Sequence, residues 1–404
     1  MSTICPSGKI ALPAGFSFAT SAAGIKASGR PDLALFVCAP GTRAAALFTK
    51  NRVVAAPVQV GRGSLKKARG SLRAVIVNSG NANCATGVEG LHSCQRVCKQ
   101  TARLLGVTPQ EVFPSSTGII GVHFPVEKVV ANLPDLVAKQ AASEESVRQF
   151  AATIMTTDTR PKIASAVIET GKRKVSLLGI AKGSGMIHPN LATMLVYLFT
   201  DAIATPSLLT SFLRQACDET FNCISVDGDT STNDTVLLAA SGQGGIDLHS
   251  PRAAKEFGRA LAIVSHSLAQ QIVSDGEGVT HAVKLTIEQA RKREDALRVA
   301  RAIAHSPLVK TAWAGADPNW GRILSAIGNS GVPIDPNRIN IFIGDQQVCR
   351  NGCTCPWDEA KAHEHLSRPE SEIRVQLGRG SASLRFYTTD LTAEYVRINA
   401  DYTT

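Results

Sequence analysis

The chain is poor in aromatic residues, which fill 5% of its 404 positions, and it has no long uninterrupted apolar run. The longest candidate, 191–204, is broken by Asp201, so nothing approaches the roughly 18 to 20 uncharged apolar residues of a membrane span. The first residues lack an apolar core behind Lys9 and lack Arg and Ser enrichment, which argues against a secretory or transit signal and for the cytoplasm. Neither an internal repeat nor a Pro/Ser/Gly linker divides the chain, so any boundary is expected within compact structure. What is present, 44% hydrophobic and 19% charged residues, excludes disorder and collagen and leaves a globular protein with length for two or three domains.

The net charge of +10 invites a nucleic-acid reading, but its distribution points elsewhere. Residues 1–192 carry 23 basic and 9 acidic side chains, net +14, whereas 193–404 carry 20 and 24, net −4. The halves are complementary, and no aromatic residues interleave with the basic ones to stack bases. No nucleic-acid partner is expected. The ten cysteines, without a signal peptide, read as reduced thiols that mostly fill core positions. Cys349, Cys353 and Cys355, followed by His363 and His365, supply enough soft ligands for zinc, but their spacing fits no zinc motif and we expect no metal. Cys94 and Cys98, one helical turn apart, should both face the core.

Strands and helices intermix throughout. Ala74 to Val77 is a short apolar run ending in Asn78-Ser79-Gly80-Asn81-Ala82-Asn83, which reads as a buried strand feeding a tight loop. Val88, Leu91, Cys94, Cys98, Ala102 and Leu105 recur at helical spacing, with Gly106 placed to end the helix. Thr205-Pro206 and Ser250-Pro251 look like N-caps with first-turn prolines, opening helices over Leu208 to Cys217 and Ala253 to Ile272. Strand-like runs cover Val175 to Ile180, Ala192 to Phe199, Thr235 to Ala240, Ile339 to Ile343, Leu384 to Tyr387 and Tyr395 to Ile398. This predicts an α/β or α+β fold of layered sheets covered by helices. Asp227, Asp229, Ser231 and Asn233 alternate like a calcium loop, but Thr232 and Leu238 stand where glycine and glutamate are needed, so that site is rejected. Gly242, Gly244 and Gly245 read as a turn.

The chemistry concentrates at Lys182-Gly183-Ser184-Gly185-Met186-Ile187-His188-Pro189-Asn190-Leu191-Ala192-Thr193-Met194-Leu195, a glycine-rich loop that runs into an apolar strand through a threonine. A lone threonine at a strand start is ordinarily structural. This stretch, however, resembles the self-cleavage and nucleophile motif of the ornithine acetyltransferase (glutamate N-acetyltransferase) family of arginine biosynthesis. Other blocks resemble the family in the same order: 78–83, Ser116-Thr117-Gly118-Ile119-Ile120-Gly121, Met155-Thr156-Thr157-Asp158-Thr159, 227–234, Ser274-Asp275-Gly276-Glu277-Gly278, Asp317-Pro318-Asn319-Trp320-Gly321-Arg322 and Asn399-Ala400-Asp401-Tyr402. The likeness covers essentially the whole chain. Small departures are Leu191 where the family often has Met, and the order of Asn83-Cys84-Ala85.

The resemblance implies a fold similar to N-terminal-nucleophile acetyltransferases and a precursor that cuts itself between Ala192 and Thr193. An α chain, 1–192, and a β chain, 193–404, would then share one compact core. A free amine on Thr193, titrating near pH ~7.7 to 8.0, would take the proton of its own hydroxyl and replace a histidine base. Thr117 and the N–H of Gly118 would form the oxyanion hole. By the same resemblance Thr156, Lys182, Thr193, Glu277, Asn399 and Thr404 line the substrate site, Lys182 suited to an α-carboxylate and Glu277 to an ammonium. The implied reaction moves acetyl from N-acetylornithine to glutamate through a threonyl ester. Acetyl-CoA is a second acetyl donor, no prosthetic group is bound, and two α and two β chains form a heterotetramer. Two other readings stay open at this point. One is a self-processing aminopeptidase or amidohydrolase in which water resolves the acyl-enzyme; the other is a non-enzymatic basic binding protein.

Overall fold

In a computed structural model, the structure describes residues 2–4, 9–170, 173–188 and 194–401. Ala192, Thr193 and Thr404 lie outside the described residues. Three sheets organise the chain. A six-stranded sheet has the order Ser2–Ile4, Lys162–Thr170, Arg173–Lys182, Leu195–Thr200, Thr235–Ala240, Arg43–Phe48. A four-stranded sheet runs Phe16–Ser21, Leu33–Cys38, Ala74–Asn81, Val112–Ile119. A second six-stranded sheet, Cys353–Thr354, Gln346–Arg350, Asn340–Ile343, Glu370–Gln376, Ala282–Ala290, Ala382–Thr389, is built from the C-terminal part alone.

The first two sheets stack face to face, with helices on both outer faces. Leu195, Tyr197 and Phe199 point into the space between the sheets, together with Phe18 and Phe36 from the opposite sheet and Phe150 from helix Glu144–Thr153. Val196 and Leu198, one residue out of phase, face helices Pro206–Glu219 and Pro251–Val273 on the other side. A strand buried on both faces cannot alternate apolar with polar residues, which explains the continuous apolar run in the sequence. Asp201 ends the run for a physical reason. It lies just past the strand and accepts hydrogen bonds from Ser176 N at 2.8 Å and Ala14 N at 3.2 Å. Helices Gly87–Leu105 and Val126–Ala138 cover the far face of the four-stranded sheet. No helix among the described residues is long and apolar enough to cross a membrane.

The local expectations mostly hold. Helix Gly87–Leu105 ends at Gly106, whose φ of +66° supplies the left-handed cap. The side chain of Thr205 caps the helix at Pro206, whereas Ser250 makes no such bond at Pro251. Cys94 and Cys98 are both buried. The thiols and imidazoles near the C-terminus have separate partners: Cys355 Sγ donates to Gln347 O, His363 Nδ1 faces Ala316 O, and His365 Nε2 takes the N–H of Glu372. Two expectations fail. Tyr395 to Ile398 belongs to helix Ala393–Asp401, not to a strand, because its register against Gly278 is set by caps and backbone contacts rather than by propensity. Asn78 to Asn81 is not a loop either; the strand from Ala74 continues through Asn81. Its asparagines are satisfied by tertiary partners, which removes the reason to turn.

Phe36 is fully buried and meets Phe18, Phe150, Tyr197 and Phe199 at centroid distances of 6.2, 5.9, 5.6 and 4.8 Å. Phe36→Ala should therefore cost about 3–5 kcal/mol in urea unfolding. A loss below about 1 kcal/mol would show that this cluster does not hold the two sheets together.

Candidate active site

Six of the residues singled out in the sequence, Thr117, Gly118, Thr156, Lys182, Glu277 and Asn399, line one cavity of about 200 Å³. They arrive from five separate segments. Thr117 and Gly118 end strand Val112–Ile119, Lys182 ends strand Arg173–Lys182, and Thr156 follows helix Glu144–Thr153. Glu277 follows helix Pro251–Val273, and Asn399 lies on helix Ala393–Asp401.

Lys182 is buried at the floor. Its Nζ donates to Thr156 Oγ1 at 3.0 Å and Thr117 Oγ1 at 3.2 Å. A hydroxyl that accepts from an ammonium directs its own proton elsewhere, so Thr117 is set up to donate. Burial lowers the Lys182 pKa, and the Asp158 carboxylate opposes that shift. Asp158 is itself buried, yet the Lys182 and Lys162 charges overcome the cost of desolvation and hold it at about 2. Lys162, fully buried, bridges Asp158 and Asp275 with two contacts of 2.6 Å. Asp158 also accepts the N–H groups of Gly183 at 2.6 Å and Thr156 at 3.1 Å, so one carboxylate fixes both ends of the floor.

Carboxylates line the same cavity. Glu277 Oε2 accepts from Asn399 Nδ2 at 2.9 Å. Its carboxylate rests on Gly185, where a Cβ would come within 2.3 Å of it and push the carboxylate aside. Asp227 accepts from Met186 N at 2.5 Å and Ile187 N at 2.8 Å, with Met186 held at a φ of +56°. Burial raises the Asp227 pKa to about 6 against those backbone donors. Asp227, the first of the alternating residues rejected as a calcium loop, thus braces the segment 186–187. That segment is gripped further by Val226 N and Ser225 Oγ on Ile187 O, at 2.8 and 3.0 Å, and by Thr230 Oγ1 on His188 O at 3.1 Å.

Gly118 shows why the Ser116–Gly121 block needs its glycine. Its φ is +130°, and a Cβ would sit 2.3 Å from the carbonyl carbon of Gly80 on the neighbouring parallel strand. Asn233 Nδ2 ties the two strand ends together by donating to Ala82 O at 2.6 Å and Ser116 O at 2.9 Å. Sequence reasoning missed Asp158, Asp227, Asn233 and Tyr395 as site residues. The first three stood inside quoted motif blocks, where several acids and amides together could have flagged them; Tyr395 was hidden by its misassigned strand. Lys26 was also missed. Its Nζ donates to Thr153 O at 3.1 Å, and burial lowers its pKa to about 8, with Lys182 contributing.

The cavity therefore offers a cation, hydroxyls and carboxylates in one lining, matching a zwitterionic small molecule.

Comparison with known proteins gives a consistent result. A model of the ArgJ family matches residues 17–404. The arginine biosynthesis bifunctional protein ArgJ of Methylococcus capsulatus is 46% identical over 395 residues, covering 97% of this chain and 96% of that protein. The protein of the same name from Thermus thermophilus is 45% identical over 396 residues, covering 98% and 100%. A solved chain of ornithine acetyltransferase complexed with ornithine, from Mycobacterium tuberculosis, is 34% identical. The match covers 47% of this chain and 99% of that one, with a TM-score of 0.43.

Asp158→Asn removes the charge that balances Lys162 and Lys182, and should destabilise the protein by about 3–5 kcal/mol. Because the folded pKa of Asp158 is depressed, its stabilisation is complete above the unfolded value near ~3.9 and is lost as pH falls from there towards about 2. Circular dichroism across that range should show a steeper acid loss in the wild type than in the variant. Equal slopes would mean that the carboxylate is not ionised as described.

Proposed function

The chain belongs to the ArgJ family, and from that membership we propose how its cavity works as an ornithine acetyltransferase of arginine biosynthesis. The observation that carries the reading is the cavity itself, whose lining combines the Lys182 ammonium, the Glu277 carboxylate and the Thr117–Gly118 strand end.

Thr193 is the nucleophile, freed as a chain terminus by cleavage after Ala192. Its hydroxyl attacks the carbonyl of Ala192, the amide becomes an ester, and water releases the α chain 1–192 from the β chain 193–404. The fold supports such a cut. Strand Leu195–Thr200 is held on one side by Arg173–Lys182 and on the other by Thr235–Ala240, so both ladders survive a break in the connection before it. Two ion pairs that cross from one half to the other both end on Asp275, from Arg160 and Lys162. The interface is otherwise dominated by apolar side chains such as Phe18, Phe36, Tyr197 and Phe199, so burial rather than charge asymmetry holds the halves.

In turnover the Thr193 amine takes the hydroxyl proton, and the oxygen attacks the acetyl carbonyl of N-acetylornithine. The tetrahedral oxyanion is met by the Thr117 hydroxyl and the Gly118 N–H. The carbon–nitrogen bond breaks, the proton passes to the departing α-amine, and ornithine leaves an acetyl ester on Thr193. Glutamate then enters, its amine attacks the ester, and N-acetylglutamate departs with Thr193 restored. Lys182 and Thr156 hold the substrate α-carboxylate, Glu277 and Asn399 the side-chain ammonium, and Thr404 completes the same site. Acetyl-CoA is the second acetyl donor for glutamate, no prosthetic group takes part, and the enzyme acts in the cytoplasm as an α2β2 heterotetramer.

Intact mass under denaturing conditions should show two chains, the larger starting at Thr193, and a single uncut chain for Thr193→Ala; a single chain in the wild type would sink the mechanism. Lys182→Ala should raise KM for N-acetylornithine, and an unchanged KM would remove Lys182 from carboxylate binding. Thr117→Ala should lower kcat by about 10²–10³.

A further inference from the structure

The block Asp317-Pro318-Asn319-Trp320-Gly321-Arg322 takes no part in the cavity around Lys182. It borders a second cavity of about 830 Å³, inside the ~300–1,000 Å³ range of small-molecule sites. Arg301, on helix Arg293–Ala304, and Arg322, on helix Trp320–Gly328, both line it. No carboxylate among the described residues does so. The rest of the wall carries hydroxyl and amide groups, including Ser325 and Asn329, while Leu308, 62% exposed, gives an apolar lip. Arg322 donates one N–H to Leu308 O at 2.7 Å, which ties its guanidinium to that lip. The nearby helix starts are already capped by Ser306 and Asn319, so the anion preference comes from the guanidinium groups.

This cavity shares a wall with the acetyl-transfer site. Asp227 and Asp229 face the first cavity, and Gly228 between them packs on His305, which lines the second. The His305 ring meets His188 edge to face at 4.4 Å, and its Nε2 lies 3.0 Å from Ser225 Oγ. His188 is the last described residue before the segment that carries Thr193. Burial holds the His305 pKa down at about 3, so the ring is a neutral divider that adds no charge to the arginines.

We propose that this second cavity binds the phosphate groups of acetyl-CoA, with Arg301 and Arg322 as the phosphate ligands. The inference rests on the acetyl-CoA activity proposed above and adds the place where that donor is held. Guanidinium forks suit phosphate bidentately, and a site free of carboxylates does not repel it. The short wall at 227–229 lets the flexible arm of the cosubstrate carry its thioester over to the Thr193 side, while N-acetylornithine, which lacks phosphate, uses the first cavity alone. One enzyme thus accepts two donors of very different size without enlarging the small site.

The test is calorimetric titration of CoA, 3′-dephospho-CoA and pantetheine into the purified processed enzyme and its variants. Arg301→Gln and Arg322→Gln should each weaken CoA binding by about 10- to 100-fold, the span of a hydrogen bond to a charged group. Ser325→Asp, an exposed position needing no repacking, should do the same by charge repulsion and guards against misfolding of the arginine variants. Pantetheine binding and the KM for N-acetylornithine should stay within about twofold in all three. Unchanged CoA affinity in the variants, equal binding of CoA and pantetheine, or no CoA binding by the wild type would each overturn the site. Transfer from N-acetylornithine to glutamate, assayed in the same preparation, reports separately on the proposed function.

Discussion

Four charged side chains, Lys162, Lys182, Asp158 and Asp275, are buried together, and the placement of the site depends on them. A charge removed from water must be paired, so the chain can close only when residues 155–162, the end of strand Arg173–Lys182 and the turn after helix Pro251–Val273 meet at one point. That point is the floor of the cavity. Such a network is a poor source of net stability, because desolvation consumes most of the attraction. Its value lies in geometry: a wrong register at any of the three segments would strand an ion.

The surroundings convert this fixed point into a directed one. The segment 183–188 leaves the floor and is held at nearly every residue, by Asp158 at Gly183, by Asp275 O at Ser184 Oγ, and by Asp227 at Met186 and Ile187. The left-handed Met186 is a small strain that those bonds over-determine. A segment so braced keeps a defined course as far as His188, whose carbonyl accepts from Thr230 Oγ1. The sheets make this rigidity cheap to maintain, since the strands on either side of the segment are central and buried on both faces.

The amides extend the same logic to the strand ends at Gly80 and Gly118. Asn78 takes the hydroxyl of Ser116 at 2.6 Å, Asn81 takes Asn83 N at 2.8 Å, and Asn233 joins the two parallel strand ends. Each satisfies a buried polar group that the close approach of Gly80 and Gly118 would otherwise leave open. Polar residues in a strand interior normally weaken it; here they tie the ends of two parallel strands together.

The sequence by itself determined the family, the main helices with their Gly106 and Pro206 boundaries, and the identity of six cavity residues, because local propensities and ordered motif blocks are written residue by residue. It misjudged Asn78–Asn81 and Tyr395–Ile398, where tertiary partners outweigh local preference. Only the tertiary structure decided that Lys182 sits buried between two threonines, that Asp158 serves it as counter-ion, and that Asp227 clamps the loop at Met186 and Ile187. Burial, distance and charge pairing belong to segments far apart in the chain, and no local pattern records which of them will meet.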